Sequence, residues 1–170
     1  YKGPGKAWSR GIRCGLHNGC DLNKKSGFNK VISLLKTEKP DLVWVSLPCG
    51  PTSSIQELNM LTPEGYAKVQ AKVAKSRKLA SRAVTLMEMQ VAQGGEVAQE
   101  WPRYNKAWNF KSIQNFWRQY QHYEAYADGC AYGLRAPDGG SIRKPWRLRS
   151  TSQRIWKMQK LCDCRGPHTP

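Results

Sequence analysis

The run of apolar residues from Leu42 to Leu47 constrains the fold of this chain most. It follows Pro40, which ends a helical pattern, and it stops abruptly at Pro48-Cys49. A near-continuous apolar run between helical segments is typical of a parallel strand that is covered on both faces. We therefore expect a central strand with Cys49 at its carboxyl end, where open α/β sheets form their ligand crevices.

Helical and strand-like patterns alternate along the rest of the chain. A hydroxyl, a proline and an acid at Thr62-Pro63-Glu64 predict the start of a long helix, and its apolar rhythm continues to Gly94-Gly95. Further helices are predicted at 27–38, 113–120 and 153–158, and further strands at 95–99, 122–127 and 146–151. This order predicts an α/β fold, a partial doubly wound and Rossmann-like sheet that is mostly parallel and has flanking helices.

The chain is strongly basic, with 28 Lys and Arg against 12 Asp and Glu and a formal charge of +16. Cationic residues cluster between Arg143 and Arg165, which predicts a polyanionic partner, DNA in the first place and RNA as the alternative. A charge that only keeps the protein soluble is the other interpretation. The sequence has no stretch of about 20 apolar residues and no signal-peptide pattern. We therefore expect no membrane partner and an intracellular location, nuclear in a eukaryote.

Reactive or charged side chains stand at three strand ends: Cys49, Glu100, and the pair Arg147 and Arg149. A thiolate nucleophile needs a lowered pKa or a nearby proton acceptor, and an electropositive crevice supplies the first. Cys49 is placed as a nucleophile would be. An inert structural cysteine explains the Pro-Cys pair equally well.

Five segments, in order, resemble those of cytosine-C5 DNA methyltransferases. The segment 19–22, GCDL, is similar to their acidic segment that receives the cofactor adenine, and 46–53, SLPCGPTS, resembles their Pro-Cys loop. The segment 99–102, QEWP, resembles the Glu-Asn-Val loop. The segments 127–134, ADGCAYGL, and 143–149, RKPWRLR, resemble the tyrosine-glycine turn and the Gln-x-Arg-x-Arg strand. The resemblance is closest to divergent, compact members of mobile-element or phage type, in which a Cys/His-containing tail follows the arginine strand.

The resemblance implies transfer of a methyl group from S-adenosyl-L-methionine to C5 of a cytosine that has left the duplex stack. Cys49 would add to C6 of the base, and Glu100 would hold N3 and the exocyclic amine. Arg147 and Arg149 would hold the catalytic loop, the target phosphate or the charge of the thiolate. The residues expected to contact the cofactor are Asp21, Leu22, Ser46 and Pro48, and those expected to contact nucleic acid are Ser53, Ser54, Trp101, Arg143 and Lys144.

One α/β domain is expected at 27–160, because 170 residues are too few for two comfortable domains. Residues 1–26 are interpreted as the remnant of an incomplete cofactor half, and 161–170 as a basic Cys/His tail. The sequence has no Phe-x-Gly-x-Gly loop, which in the family cradles the methionine end of the cofactor, and it begins with Tyr1 rather than Met. These departures predict a truncated or degenerate copy of the methyltransferase domain.

Other functions remain open. The main alternative is a non-catalytic nucleic-acid-binding module of a mobile-element protein, which keeps the scaffold and the basic surface. A cysteine hydrolase ranks lower because it needs a histidine base, and neither His17 nor His122 lies at an evident strand end.

The tail holds Cys162, Cys164 and His168, which offer a zinc site if Cys130 supplies a fourth ligand. A Cys-x-Cys pair is a weaker zinc signal than Cys-x-x-Cys, and a basic tail with reduced thiols explains the same residues. The sequence by itself therefore assigns no metal ligand.

Overall fold

The computed structural model describes residues 11–163 and 166–169. The first ten residues of the segment 1–26, and Cys164, Arg165 and Pro170 of the tail, lie outside the described residues. The helices are α1 (Lys25–Glu38), α2 (Pro63–Ala92) and α3 (Lys111–Gln119), and the strands are β1 (Leu42–Ser46), β2 (Glu96–Pro102), β3 (Tyr123–Asp128) and β4 (Pro145–Ser150). All four expected strands are therefore present.

Helix α2 begins and ends where the sequence predicts. The Thr62 hydroxyl accepts a hydrogen bond from the Gly65 amide at 3.1 Å, and Pro63 takes the first helical position, where its missing N–H costs nothing. Beyond the carboxyl end, Gly94 has a φ of 81°, a backbone conformation that favours glycine. In the part of the chain that the structure describes, no helix is long and apolar enough to cross a membrane.

The sheet has the order β1-β2-β4-β3. Strands β1 and β2 pair in parallel, whereas β4 pairs antiparallel with both β2 and β3. The α/β class is confirmed, but the expected mostly parallel sheet is wrong: the sheet is mixed, with one parallel pair. The reason is the connection between β3 and β4, which contains only a 3₁₀ turn and loops, and a short link without a crossover helix returns the chain antiparallel.

The expected central position of β1 is also wrong. Among the described strands β1 pairs only with β2, so it is an edge strand. Leu42 is 43 % exposed and Trp44 39 % exposed, whereas Val45, on the other face, is buried. The apolar run of β1 therefore supplies two apolar faces: one is buried, and no described element fully covers the other.

Two apolar clusters cover the two faces of the sheet. The larger lies under α2 and α3 on what we call the helix-side face; among its buried residues are Val45, Met87, Val97, Trp101, Ile113, Phe116 and Trp117. The smaller covers the opposite face, which we call the tail-side face, and consists of Ala98, Ala125, Ala127, Leu148 and Ile155. Ile155 comes from the 3₁₀ turn Gln153–Met158, which follows β4. Helices α2 and α3 thus cover the helix-side face, whereas a 3₁₀ turn contributes to the cover of the tail-side face.

Candidate functional site

The carboxyl ends of β1 and β2 lie side by side because the two strands are parallel. Their register places Ser46 opposite Glu100, and the Ser46 hydroxyl donates a hydrogen bond to Glu100 Oε1 at 2.8 Å. Cys49 follows three residues after the end of β1. We call Ser46, Cys49 and Glu100 the strand-end site. It occupies the edge of the sheet at which parallel strands leave room for a ligand.

Hydrogen bonds from the chain after β2 hold the loop that carries Cys49. The Trp101 indole donates to the Leu47 carbonyl at 2.9 Å, and the side-chain amide of Asn105 donates to the backbone carbonyl of Cys49 at 3.0 Å. Asn105 Oδ1 in turn accepts from the Thr52 hydroxyl at 2.6 Å. Asn105 is only 6 % exposed, so these bonds are made out of water, where losing one is costly. The Pro-Cys loop is therefore fixed to β2.

Cys49 and Glu100 point to different sides of this edge. The half-buried Cys49 packs against the helix-side cluster. Glu100 is opposite Leu148 in the β2–β4 pair, and paired residues share a face, so its carboxylate belongs to the tail-side face. A single ligand that touches both side chains must therefore lie across the ends of β1 and β2.

Arg147 and Arg149, which we call the arginine pair, lie on the helix-side face and thus on the opposite face from Glu100. They flank Leu148 in β4, and their guanidinium carbons are 5.1 and 5.5 Å from the centre of the Trp108 ring. Both donate hydrogen bonds to Glu124 Oε1. The structure therefore brings the two arginines together but does not bring them to Glu100, and Glu124 is their ionic partner.

The ionisation of Glu124 depends on these neighbours. Partial burial disfavours the charged carboxylate, but hydrogen bonds from the arginine pair and from the Tyr126 hydroxyl outweigh it, so the pKa of Glu124 lies below its usual 4.5. The same contact raises the pKa of Tyr126 above 10.0, because its hydroxyl proton is held by the carboxylate. Beside the pair, an open pocket of about 260 Å³ is lined also by Trp117, Arg118 and His122.

The residues expected to bind the cofactor belong to two segments of the chain, 21–22 and 46–48. Ser46 and Pro48 are exposed at the strand-end site. Asp21 and Leu22 precede α1, and the Leu22 carbonyl accepts a hydrogen bond from Arg82 of α2, on the helix side of the molecule. Ser46 lies on the tail-side face, where it donates a hydrogen bond to Glu100, so the two segments make their observed contacts with different elements. Binding of S-adenosylmethionine stays a prediction.

Of the five residues expected to contact nucleic acid, four are exposed or partly exposed and one is buried. Arg143 and Lys144 are exposed before β4, and Ser53 and Ser54 follow the Pro-Cys loop at its rim. Trp101 is 2 % exposed and makes an edge-to-face contact with the Trp108 ring, so the structure places it in the core and not on a surface where a base stacks.

Two residues of this region were missed from the sequence. Asn105 precedes the short 3₁₀ turn Lys106–Asn109 and caps it by accepting from the Ala107 amide, and an Asn before a helical turn is a readable capping signal. Glu124 gives no such signal, because its role depends on which strand β3 pairs with.

Neither a protein-family model, nor a curated protein, nor a solved structure matches this chain.

We predict that Asn105→Ala loosens the Pro-Cys loop. The substitution removes the side-chain bond to the Cys49 carbonyl and the two bonds that Asn105 Oδ1 accepts, from the Thr52 hydroxyl and the Ala107 amide. It should lower the free energy of unfolding by about 1–3 kcal/mol. N-ethylmaleimide should also label Cys49 faster, as measured by mass spectrometry of the Cys49 peptide. Asn109→Ala, an exposed position in the same turn, is the matched control. Equal labelling rates in the two variants would show that Asn105 does not hold the loop.

We predict a pH-dependent cost for Glu124→Gln. Because the folded-state pKa lies below the unfolded-state value, the carboxylate stabilises the fold above that value and ceases to do so as the pH falls through the folded-state pKa. At pH 7 the variant should lose about 1 kcal/mol or less, since the pair is partly solvated. The difference from wild type in chemical unfolding should vanish at acid pH. Glu88→Gln, at an exposed site on α2, should show no such difference; a pH-independent cost for Glu124→Gln argues against the ionic role.

Proposed function

We propose that the chain is a nucleic-acid-binding domain of the cytosine-C5 methyltransferase type, whose strand-end site accepts an unstacked cytosine of DNA. The observation that carries the proposal is the placement of Cys49 and Glu100 at the shared carboxyl edge of β1 and β2. The resemblance of the Pro-Cys and Glu-containing segments supplies the class, and the charge of +16 supports a polyanionic partner.

The site offers complementary chemistry to the two sides of a cytosine ring. The Ser46 hydroxyl donates to one lone pair of Glu100 Oε1, so the second lone pair of Oε1 and the whole of Oε2 are left for the base. In its protonated form Glu100 donates to N3 and accepts from the exocyclic amine, as a flipped base is read by hydrogen bonds to its Watson–Crick edge. The Cys49 sulfur, on the other side of the edge, would then approach C6 of the base.

The reaction that these residues support is reversible thiol addition. The Cys49 thiolate forms a bond to C6, the electrons of the C5–C6 double bond move into the ring, and N3 takes the proton of Glu100. C5 then takes a proton from water and can return the original one, after which the thiolate leaves and Glu100 recovers its proton. The net result is exchange of the C5 hydrogen with solvent. This exchange needs no cofactor, so the proposal includes no step through S-adenosylmethionine.

The second candidate is nucleic-acid binding without chemistry. It is favoured by the position of the arginine pair, which forms ion pairs with Glu124 on the face away from Glu100. In this case Arg143 and Lys144, which are exposed, carry the phosphate contacts and Cys49 is a structural thiol.

A base analogue distinguishes the two candidates. We expect a single-stranded oligonucleotide with 2-pyrimidinone in place of cytosine to form a covalent adduct with the full chain, located on Cys49 by peptide mass spectrometry. The analogue lacks the exocyclic amine, and thiols add to it without any cofactor. Cys49→Ala should abolish the adduct, and Glu100→Gln should slow its formation by about 100-fold or more, as expected for loss of a general acid.

Cys14→Ala is the matched control, because Cys14 is an exposed thiol outside the site. If no adduct forms while wild type and Cys49→Ala bind the oligonucleotide equally, the catalytic proposal is wrong and the binding module remains. In that case Arg143→Gln with Lys144→Gln should weaken binding and flatten its salt dependence.

A further inference from the structure

Three side chains of metal-binding type meet beside the outer edge of β3. Cys130 belongs to the 3₁₀ turn Gly129–Tyr132, whereas Cys162 and His168 belong to the tail. The two sulfur atoms and one ring nitrogen of His168 all lie within 4.8 Å of one another, and Cys162 Sγ is 3.2 Å from His168 Nε2. Side chains more than thirty positions apart in the sequence thus converge on one point.

This spacing is close to that of a zinc site. With Zn–S near 2.3 Å and Zn–N near 2.1 Å, tetrahedral coordination places ligand atoms about 3.6–3.8 Å apart, so small side-chain rotations suffice to admit the ion. Sulfur and imidazole ligands favour Zn²⁺ over Mg²⁺ or Ca²⁺, which prefer oxygen. Cys130 is 7 % exposed, so the site is closed on one side, as structural zinc sites are.

The backbone places the tail here without help from a metal. After the 3₁₀ turn Gln153–Met158, the chain runs along β3: the Lys160 amide donates to the Tyr126 carbonyl at 3.0 Å and the Asp128 amide donates to the Lys160 carbonyl at 2.9 Å. At the far end, the Thr169 amide donates to the Ser141 carbonyl at 2.9 Å. Backbone hydrogen bonds therefore hold the tail to the domain at both of its ends, and His168 precedes Thr169, which makes the second contact.

Asp128 positions the first tail ligand. It is fully buried, and its Oδ2 accepts a hydrogen bond from the Cys162 amide at 3.0 Å. Its other oxygen is 3.2 Å from Arg103 Nη2, and Arg143 Nε lies 3.6 Å from Oδ2. A buried carboxylate that is compensated by two guanidinium groups persists, so the Cys162 backbone is held within reach of the turn that carries Cys130.

Cys130 is positioned by the turn itself. Gly129 has no room for a side chain, since an added Cβ would lie 2.7 Å from Leu134 Cδ2 and 3.1 Å from the Ile142 carbonyl oxygen. Gly133 ends the turn with a φ of 80°. The turn thus packs closely against the segment before β4, and this packing fixes the position of Cys130.

We propose that Cys130, Cys162 and His168 bind a structural Zn²⁺ ion that joins the tail to the end of β3. Two thiolates would balance the charge of the ion, so the site adds no net charge to the fold. Because the ligands come from separate segments, the binding free energy adds to the stability of the fold. The site is independent of the base-binding proposal.

The experiment measures metal in the full chain, purified without a polyhistidine tag from zinc-supplemented cells and desalted into reducing, metal-free buffer. We expect about one equivalent of zinc per chain by mass spectrometry of the elements. Cys130→Ser, Cys162→Ser and His168→Ala should each lower the zinc content at least five-fold. Cys14→Ser and His17→Ala, which change an exposed thiol and an exposed imidazole, should retain it.

A cobalt spectrum keeps the proposal testable if a variant fails to fold. Replacing zinc by Co²⁺ in the wild-type chain should give the visible bands of tetrahedral cobalt and a thiolate charge-transfer band whose intensity reports at least two thiolates. Octahedral cobalt bands, a Cys130–Cys162 disulfide under these reducing conditions, or less than about a tenth of an equivalent of zinc after reconstitution would overturn the site.

Discussion

Strand β2 has hydrogen-bonded neighbours on both sides, and its register decides which side chains can act together. Alternation along a strand sends Gln99 and Trp101 to the helix-side face and Glu100 to the tail-side face. The buried Trp117 indole, which donates to Gln99 Oε1 at 2.7 Å, adds to the cost of a one-residue slip, since every side chain of the strand would change face. The Ser46–Glu100 contact and the separation of Glu100 from the arginine pair are both consequences of this register.

Local sequence patterns predicted the helices and strands well. The arrangement of the strands in the sheet could not be predicted in the same way, because it depends on pairing between residues far apart in the sequence. The Thr62 cap and the apolar rhythm defined α2, because these signals involve neighbours in sequence. The edge position of β1 and the mixed sheet depend instead on which strands pair, and an apolar run such as Leu42–Leu47 does not distinguish a covered strand from one with an exposed apolar face. The ionic partner of the arginine pair could not be predicted, because Glu124 reaches the pair only through the β3–β4 pairing.

The strand-end site shows the same limit. Cys49 and Glu100 could be placed at one edge from the sequence, because residues that follow parallel strands gather there. The sequence did not predict their orientation: Cys49 packs against the helix-side cluster, whereas Glu100 faces the opposite side of the sheet. In the tail, the sequence showed residues that can bind a metal but not which residues meet. Cys130 lies near Cys162 and His168 because the chain runs along β3, and the spacing of residues within the tail does not predict this path.

Amide chemical shifts test the central claim, that a cytosine lies across the ends of β1 and β2, most directly. The labelled chain would be titrated with a single-stranded oligonucleotide that carries one cytosine, and with the same oligonucleotide abasic at that position. The account predicts cytosine-dependent shifts at 46–53 and 100–105, the segments that carry Cys49 and Asn105. Identical shifts with both oligonucleotides, confined to the region around Arg143 and the tail, would contradict it.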